Sequence, residues 1–236
     1  MSETTPLNAF NALNPLASLP DELGLQADFR PAAPGTELPW LLVLMHGVGS
    51  NEQDLMGIAP WVPARYHLLS LRAPHPMGPN AWAWFQFGVA ADGSRVINTA
   101  QEKHSRALVE QAVSRAATQL GVPASRVVVG GFSQGGIMGL SLLLTRPQSL
   151  RAALSLHSRL LPEVLPEQAP AEALQGRSLW VSHGTEDAVL PASHSERIVA
   201  HAAALPLQVH SAGFPGGHTL GRQELDELSG WLSALA

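Results

Sequence analysis

A serine framed by glycines, Gly130-Gly131-Phe132-Ser133-Gln134-Gly135-Gly136, is the stretch of this sequence most ready for chemistry. Where a strand turns sharply into a helix, a serine at the corner stands clear of both. The residues two before and two after it must then be small for the turn to close. Gly131 and Gly135 occupy those places. The apolar run Val127–Val129 precedes the motif and a helical run begins at Ile137, so the setting is strand, turn and helix. A phosphate cradle fits less well, because no Gly-Lys-Ser/Thr follows and the GxGxxG spacing is missing. The plainer reading is a glycine-rich turn in which Ser133 merely caps the helix.

A serine hydroxyl attacks a carbonyl only when a histidine takes its proton, and that histidine needs a carboxylate to fix its tautomer. In a strand-to-helix elbow of this kind the chain order is serine, acid, histidine. Downstream, the apolar run Leu179–Ser182 leads into His183-Gly184-Thr185-Glu186-Asp187, which offers two acids in a loop. Asp187 is preferred over Glu186, since the shorter side chain suits a rigid loop site; as a turn residue or helix cap it would have a blander use. Four histidines follow: His194, His201, His210 and His218. Only His218 lies in a glycine-rich loop, Gly213-Phe-Pro-Gly-Gly217-His218, that can carry an imidazole over the nucleophile. His194, second choice as base, and His201 fall on an amphipathic helical pattern, and His210 reads as a strand terminus. None of the remaining histidines has metal-ligand spacing.

Acyl transfer also needs two N–H groups aimed at the developing oxyanion. Gln134, which follows the nucleophile and opens a helix, offers one. The run Leu41–Met45 ends in His46-Gly47-Val48-Gly49-Ser50, and Val48 N–H is the expected second donor. Aromatic residues make up only 6% of the chain, yet Trp82, Trp84, Phe85 and Phe87 crowd one Pro/Gly-bounded segment. They line an acyl groove in one reading and anchor a long surface loop in the other. Trp82, Trp84 and Phe85 are taken as the substrate-binding candidates.

These loops need a frame. Apolar runs at 40–46, 67–72, 126–130, 151–157, 179–183 and 207–210 read as strands, apolar on successive residues and so buried on both faces. Helical patterns cover 99–120, with a capping pattern Thr99-Ala-Gln-Glu102 and a stop at Gly121-Val-Pro123, then 134–145, 193–204 and 222–235. Alternating strands and helices imply a mostly parallel sheet covered on both faces, an α/β fold in which ligands bind beyond the carboxyl ends of the strands. Residues 1–24 are expected to form a loose arm and 25–236 a single domain. Hydrophobic residues at 45% and charged residues at 14% describe a folded, well-buried chain. A net charge of -5 without a basic block argues against nucleic acid and anionic membranes as partners. The absence of cysteine excludes disulfides, thiolate metal sites and a thiol nucleophile, and suits a reducing, cytoplasmic setting. No apolar run approaches a membrane span, and the oligomeric state is not legible.

Taken together, Leu44-Met-His46-Gly47-Val48-Gly49, Arg72-Ala-Pro74, Trp84-Phe85, Gly130–Gly136, His183-Gly184 to Asp187 with Val189 and Pro191, and Gly217-His218 resemble the phospholipase/carboxylesterase family, which includes acyl-protein thioesterases. The resemblance runs from about residue 38 to the C-terminus. It implies an α/β-hydrolase fold without a large cap domain, a Ser133–Asp187–His218 triad, and an oxyanion hole at Val48 and Gln134. It also implies hydrolysis of carboxylic esters, extending to thioesters and lysophospholipids, with no cofactor. The segment Ser50-Asn51-Glu52-Gln53-Asp54 departs from the thioesterases, which usually place an Asp after Gly-Leu-Gly, and resembles the bacterial carboxylesterase branch. Ser155–Pro162, with His157 and Arg159, occupies the place of a substrate-facing loop, where both side chains could equally be solvated. A non-catalytic binding protein on the same fold and a lactone hydrolase are the alternatives.

Overall fold

Strands that are apolar on every residue can be satisfied only between two layers, and that is how the chain is built. A computed structural model describes residues 23–91 and 95–235. In chain order its elements are β1 (Ala27–Arg30), β2 (Trp40–Met45), β3 (Tyr66–Leu71), β4 (His75–Gly78), β5 (Ala81–Ala83), β6 (Phe87–Val89), β7 (Arg95–Ile97), α1 (Thr99–Leu120), β8 (Val127–Phe132), α2 (Gln134–Thr145), β9 (Ala152–Leu156), β10 (Ser178–Gly184), α3 (Ser193–Ala202), β11 (Gln208–Phe214) and α4 (Arg222–Ala234). Seven strands form one sheet in the order β1-β3-β2-β8-β9-β10-β11. All neighbours are parallel except β1, which runs antiparallel to β3.

Side chains alternate across this sheet and define two cores. Leu41, Val43, Met45, Val127, Val129, Leu179 and Val181 face one side, where they meet α1, α2 and α3. Leu42, Leu44, Val128, Leu154 and Trp180 face the other, against α4 and a 3-10 segment, Asp54–Trp61. The two remaining strand pairs, β4–β5 and β6–β7, are short hairpins that carry the aromatic segment. Among the described residues no separate cap layer lies over the strand ends.

The helices at 99–120 and 134–145 fall where the sequence places them, while the other two end one or two residues earlier. The cap of α1 differs from expectation. Asn98 is the N-cap and its side chain accepts from Gln101 N–H; Glu102 turns inward to pair with Arg106 at 3.0 Å. Gly121 ends α1 in the left-handed region at φ 65°, as its position after the last turn requires. His210 is no strand terminus: β11 continues to Phe214, and the His210 ring stacks on Trp180. The expected arm 1–24 lies outside the described residues except for its last two, and Leu23 is already buried in the core. No helix among the described residues is long and apolar enough to cross a membrane.

Candidate active site

Parallel strands deliver their following loops to one edge of the sheet, and β2, β8, β9, β10 and β11 bring five such loops together. At the end of β8, Ser133 adopts φ 53° and ψ -115°, a strained conformation for a residue with a side chain. Its N–H donates to Leu156 O at 2.8 Å, tying the corner to the neighbouring strand. The glycine requirement has a specific origin: a Cβ built on Gly131 would lie 1.9 Å from Met45 O, and one on Gly135 1.8 Å from the same oxygen. The elbow is thus wedged against the end of β2.

His218 Nε2 stands 2.9 Å from Ser133 Oγ, and its Nδ1 lies 2.6 Å from Asp187 Oδ2. Nδ1–H donates to the carboxylate, which leaves the Nε2 lone pair facing the serine hydroxyl. The other oxygen of Asp187 accepts the N–H groups of Val189 and Leu190, each at 2.8 Å. Burial pushes the Asp187 carboxyl up, but these amides and His218 outweigh it and hold it below its ordinary value. Glu186, the alternative acid, is exposed. Gly184 lets the acid and histidine loops touch, since a Cβ there would meet Gly217 O at 2.3 Å. His194 and His201 lie on α3, and His201 bonds Gln168.

The loop after β2 is pinned from several sides. His46 is buried; its Nδ1–H donates to Gly47 O at 2.7 Å and its Nε2 accepts from Ala73 N–H at 3.1 Å. Burial pushes its pKa down, in keeping with this neutral tautomer. Glu52 grips Arg72 through two bonds of 2.5 Å, and the Arg72 guanidinium lies 4.0 Å over the Trp82 ring. Gly49 N–H and Ser50 N–H are taken by Trp82 O and Gly47 O. Val48 N–H, between Gly47 and these, has no hydrogen-bond partner among the described residues. Gln134 heads α2, where a backbone N–H has no intrahelical acceptor.

The aromatic segment divides by role. Trp84 is fully buried, and its indole N–H donates to His46 O at 2.9 Å, so it braces the loop. Trp82 likewise serves as a brace beneath Arg72 and pairs with Ser50. Neither Trp82 nor Trp84 is among the residues that wall the hollow beside Ser133. That hollow is mainly apolar and is walled by Val48, Phe85, Phe87, Ile137, Val189 and Leu190, with Arg159 also at its wall. The Gln134 side chain fixes Phe85: Nε2–H donates to Phe85 O and Oε1 accepts from Trp84 N–H, both at 2.7 Å.

Most of the chain, residues 31–236, matches the family model for phospholipase/carboxylesterase proteins. The chain belongs to that family. An acyl-protein thioesterase 1 from Neurospora crassa is 30% identical over 212 residues, covering 81% of this chain and 85% of that protein. A protein of the same name from Gibberella zeae is 31% identical over 134 residues; there the match spans about half of each, 56% of this chain and 55% of the relative. The crystal structure of a Bacillus cereus carboxylesterase superposes with a TM-score of 0.75 at 22% identity, over 90% of this chain and 95% of that one. The fold and the hydrolase class read from the sequence agree with this membership.

Two groups escape the sequence reading. His157, expected on a substrate-facing loop or in solvent, is buried at φ 47°, with Nδ1 3.3 Å from Asp187 Oδ2 and Nε2 3.1 Å from Glu224 Oε2. Glu224 itself is wholly buried at the start of α4. A signal existed: Glu224 stands four residues before Leu228 and eight before Leu232, on the stripe that α4 buries. His157, Asp187 and His218 bring their polar atoms within 4.8 Å of one another, a grouping that could hold a cation. These atoms already bond one another, Ser133 and Glu224, so the grouping reads as a proton-sharing network within this family member's site.

Proposed function

We propose that the protein is a serine esterase working through an acyl-enzyme on Ser133, and the observation that carries this is the continuous hydrogen-bonded line Ser133–His218–Asp187 at 2.9 and 2.6 Å. As Ser133 Oγ bonds to the substrate carbonyl carbon, its proton passes to His218 Nε2. The carbonyl oxygen takes the negative charge and is met by Val48 and Gln134 N–H, with the N-terminus of α2 behind. His218 then gives its proton to the leaving alcohol or thiol as the tetrahedral adduct collapses. Water, deprotonated by the same nitrogen, attacks the acyl-enzyme and releases the carboxylic acid and Ser133.

The apolar wall from Phe85 to Leu190 suits the acyl part of the substrate. Carboxylic esters are the proposed class, with thioesters and lysophospholipids as related acyl donors in view of the relatives' names. Each step is assigned to this chain's own groups, so the reading calls on no cofactor. Ser133→Ala should lower turnover of p-nitrophenyl acetate and butyrate by a factor on the order of 10³ or more. Activity within a few-fold of the parent would sink the assignment. A fluorophosphonate probe should label the parent at Ser133, whereas a non-catalytic binding protein would stay unlabelled. Faster turnover of lactones than of linear esters would favour a lactonase.

A further inference from the structure

Behind the triad lies a second imidazole and a second carboxylate that the acyl-transfer steps do not use. His157 presents Nδ1 to Asp187 Oδ2 at 3.3 Å and Nε2 to Glu224 Oε2 at 3.1 Å. Both side chains are almost completely buried, at 1% and 0% exposure, so this is not a surface ion pair screened by water. A neutral imidazole has one N–H, yet both ring nitrogens face a carboxylate oxygen. One lone pair would then oppose another unless the pair keeps an additional proton. The backbone of His157 sits in the left-handed region, a conformation that persists in a non-glycine residue only where its surroundings enforce it. Glu224 Oε1 has no hydrogen-bond partner among the described residues, so the carboxylate is held through Oε2 by His157.

We propose that His157 and Glu224 are positioning residues that hold an imidazolium–carboxylate pair against Asp187, making the site a five-membered line Ser133–His218–Asp187–His157–Glu224. The inference rests on the reading of Ser133 and His218 as nucleophile and base. The groups facing the His157 ring are Glu224 from α4, Asp187 from the loop after β10, His218 edge-on with ring centres 5.9 Å apart, and the uncharged ring of Phe132 from β8. Burial alone would push the His157 pKa down; the bonds and charges of Glu224 and Asp187 outweigh it and hold it above its ordinary value. Two consequences follow. His157 Nδ1–H fixes the Asp187 oxygen that also receives His218. The positive charge of His157 also lies beside the ring that takes the serine proton and offsets part of the attraction Asp187 exerts there.

The test is the pH dependence of kcat/KM on p-nitrophenyl butyrate for the parent, Glu224→Gln and His157→Gln. His157→Gln removes the positive charge directly, and Glu224→Gln removes it by taking away the carboxylate that keeps the extra proton on His157. Each should move the acid limb to higher pH by about 0.5–1 unit, the size expected of a partly shielded charge about 6 Å away. A folded, active variant of either kind whose acid limb stays in place or moves to lower pH overturns the proposal. Should both variants fail to fold, nitrogen-15 imidazole spectra of the parent decide. At pH 7 the His157 ring should show two protonated nitrogens, and a ring with one bare nitrogen refutes the pair. A parent without esterase activity would instead defeat the reading of Ser133, which the spectra can tell apart.

Discussion

Replacing Gly135 by alanine adds a single methyl group, yet the elbow should not tolerate it. The new Cβ would stand 1.8 Å from Met45 O, 2.4 Å from Met45 C and 2.8 Å from His46 O, whereas real Cβ contacts essentially never fall below 3.0 Å. Every atom it meets is backbone, so no side chain can rotate away. Either the start of α2 or the end of β2 must retreat by more than an ångström. Met45 and His46 lead directly into Val48, and Gly135 follows Gln134, so the retreat separates the two N–H groups proposed to share the oxyanion. A misplacement of about 1 Å can cost about 10²-fold in rate, and overpacking typically costs about 1–3 kcal/mol. For a domain of this length that corresponds to a fall in Tm of roughly 2–12 °C. Gly230→Ala is the control: its Cβ meets nothing within 4 Å, and in the interior of α4 it should stabilise by about 0.5–1 kcal/mol. The assays are calorimetry and kcat/KM on p-nitrophenyl butyrate. A Gly135→Ala protein with parental rate and Tm would refute the wedge between elbow and β2.

Two further outcomes are expected. Trp84→Phe removes the indole bond to His46 O and should lower stability by about 1–3 kcal/mol in urea unfolding. Phe87→Ala, on the wall of the hollow, should instead alter the preference among acyl chain lengths with a smaller change in Tm; the opposite pattern would reverse the roles given to these aromatics. Stability should also depend on pH with a defined sign at each end. Asp187 has a depressed pKa, so its contribution is present above its unfolded value of 3.8 and lost as pH falls through the lower folded value. His157 has a raised one, so its contribution is present below 6.5 and lost as pH rises through the higher folded value. Urea midpoints should therefore be greatest between those limits, and a midpoint that keeps rising toward pH 3 would contradict the assignment for Asp187.

What the sequence made legible was whatever depends on local order. Val127–Phe132 running into Gln134–Thr145 fixes the elbow from one continuous stretch, and the serine, acid, histidine order follows from which strand precedes which loop. The same local logic placed α1 and its glycine stop. It failed by one residue at the cap, because Asn98 and Thr99 both suit an N-cap and only the inward turn of Glu102 toward Arg106 decides between them. The antiparallel β1 is short and half-buried, and its pairing with β3 depends on the partner.

Side-chain roles that depend on contacts across the sheet were harder to see. The crowding of aromatics between residues 82 and 87 correctly marks that segment as structured, but composition cannot distinguish a wall from a brace. Trp84 braces because its indole N–H, once buried, must find an acceptor, and His46 O at the end of β2 is the acceptor within reach. Phe85 and Phe87 carry no polar side-chain group to satisfy, and both wall the hollow. The same rule explains His157 and Glu224. A carboxylate on the buried stripe of a helix needs a partner, and that partner comes from the end of a strand 67 residues earlier. The burial of Glu224 thus makes a long-range demand that the pattern of α4 alone already states, although the sequence does not reveal which residue answers it.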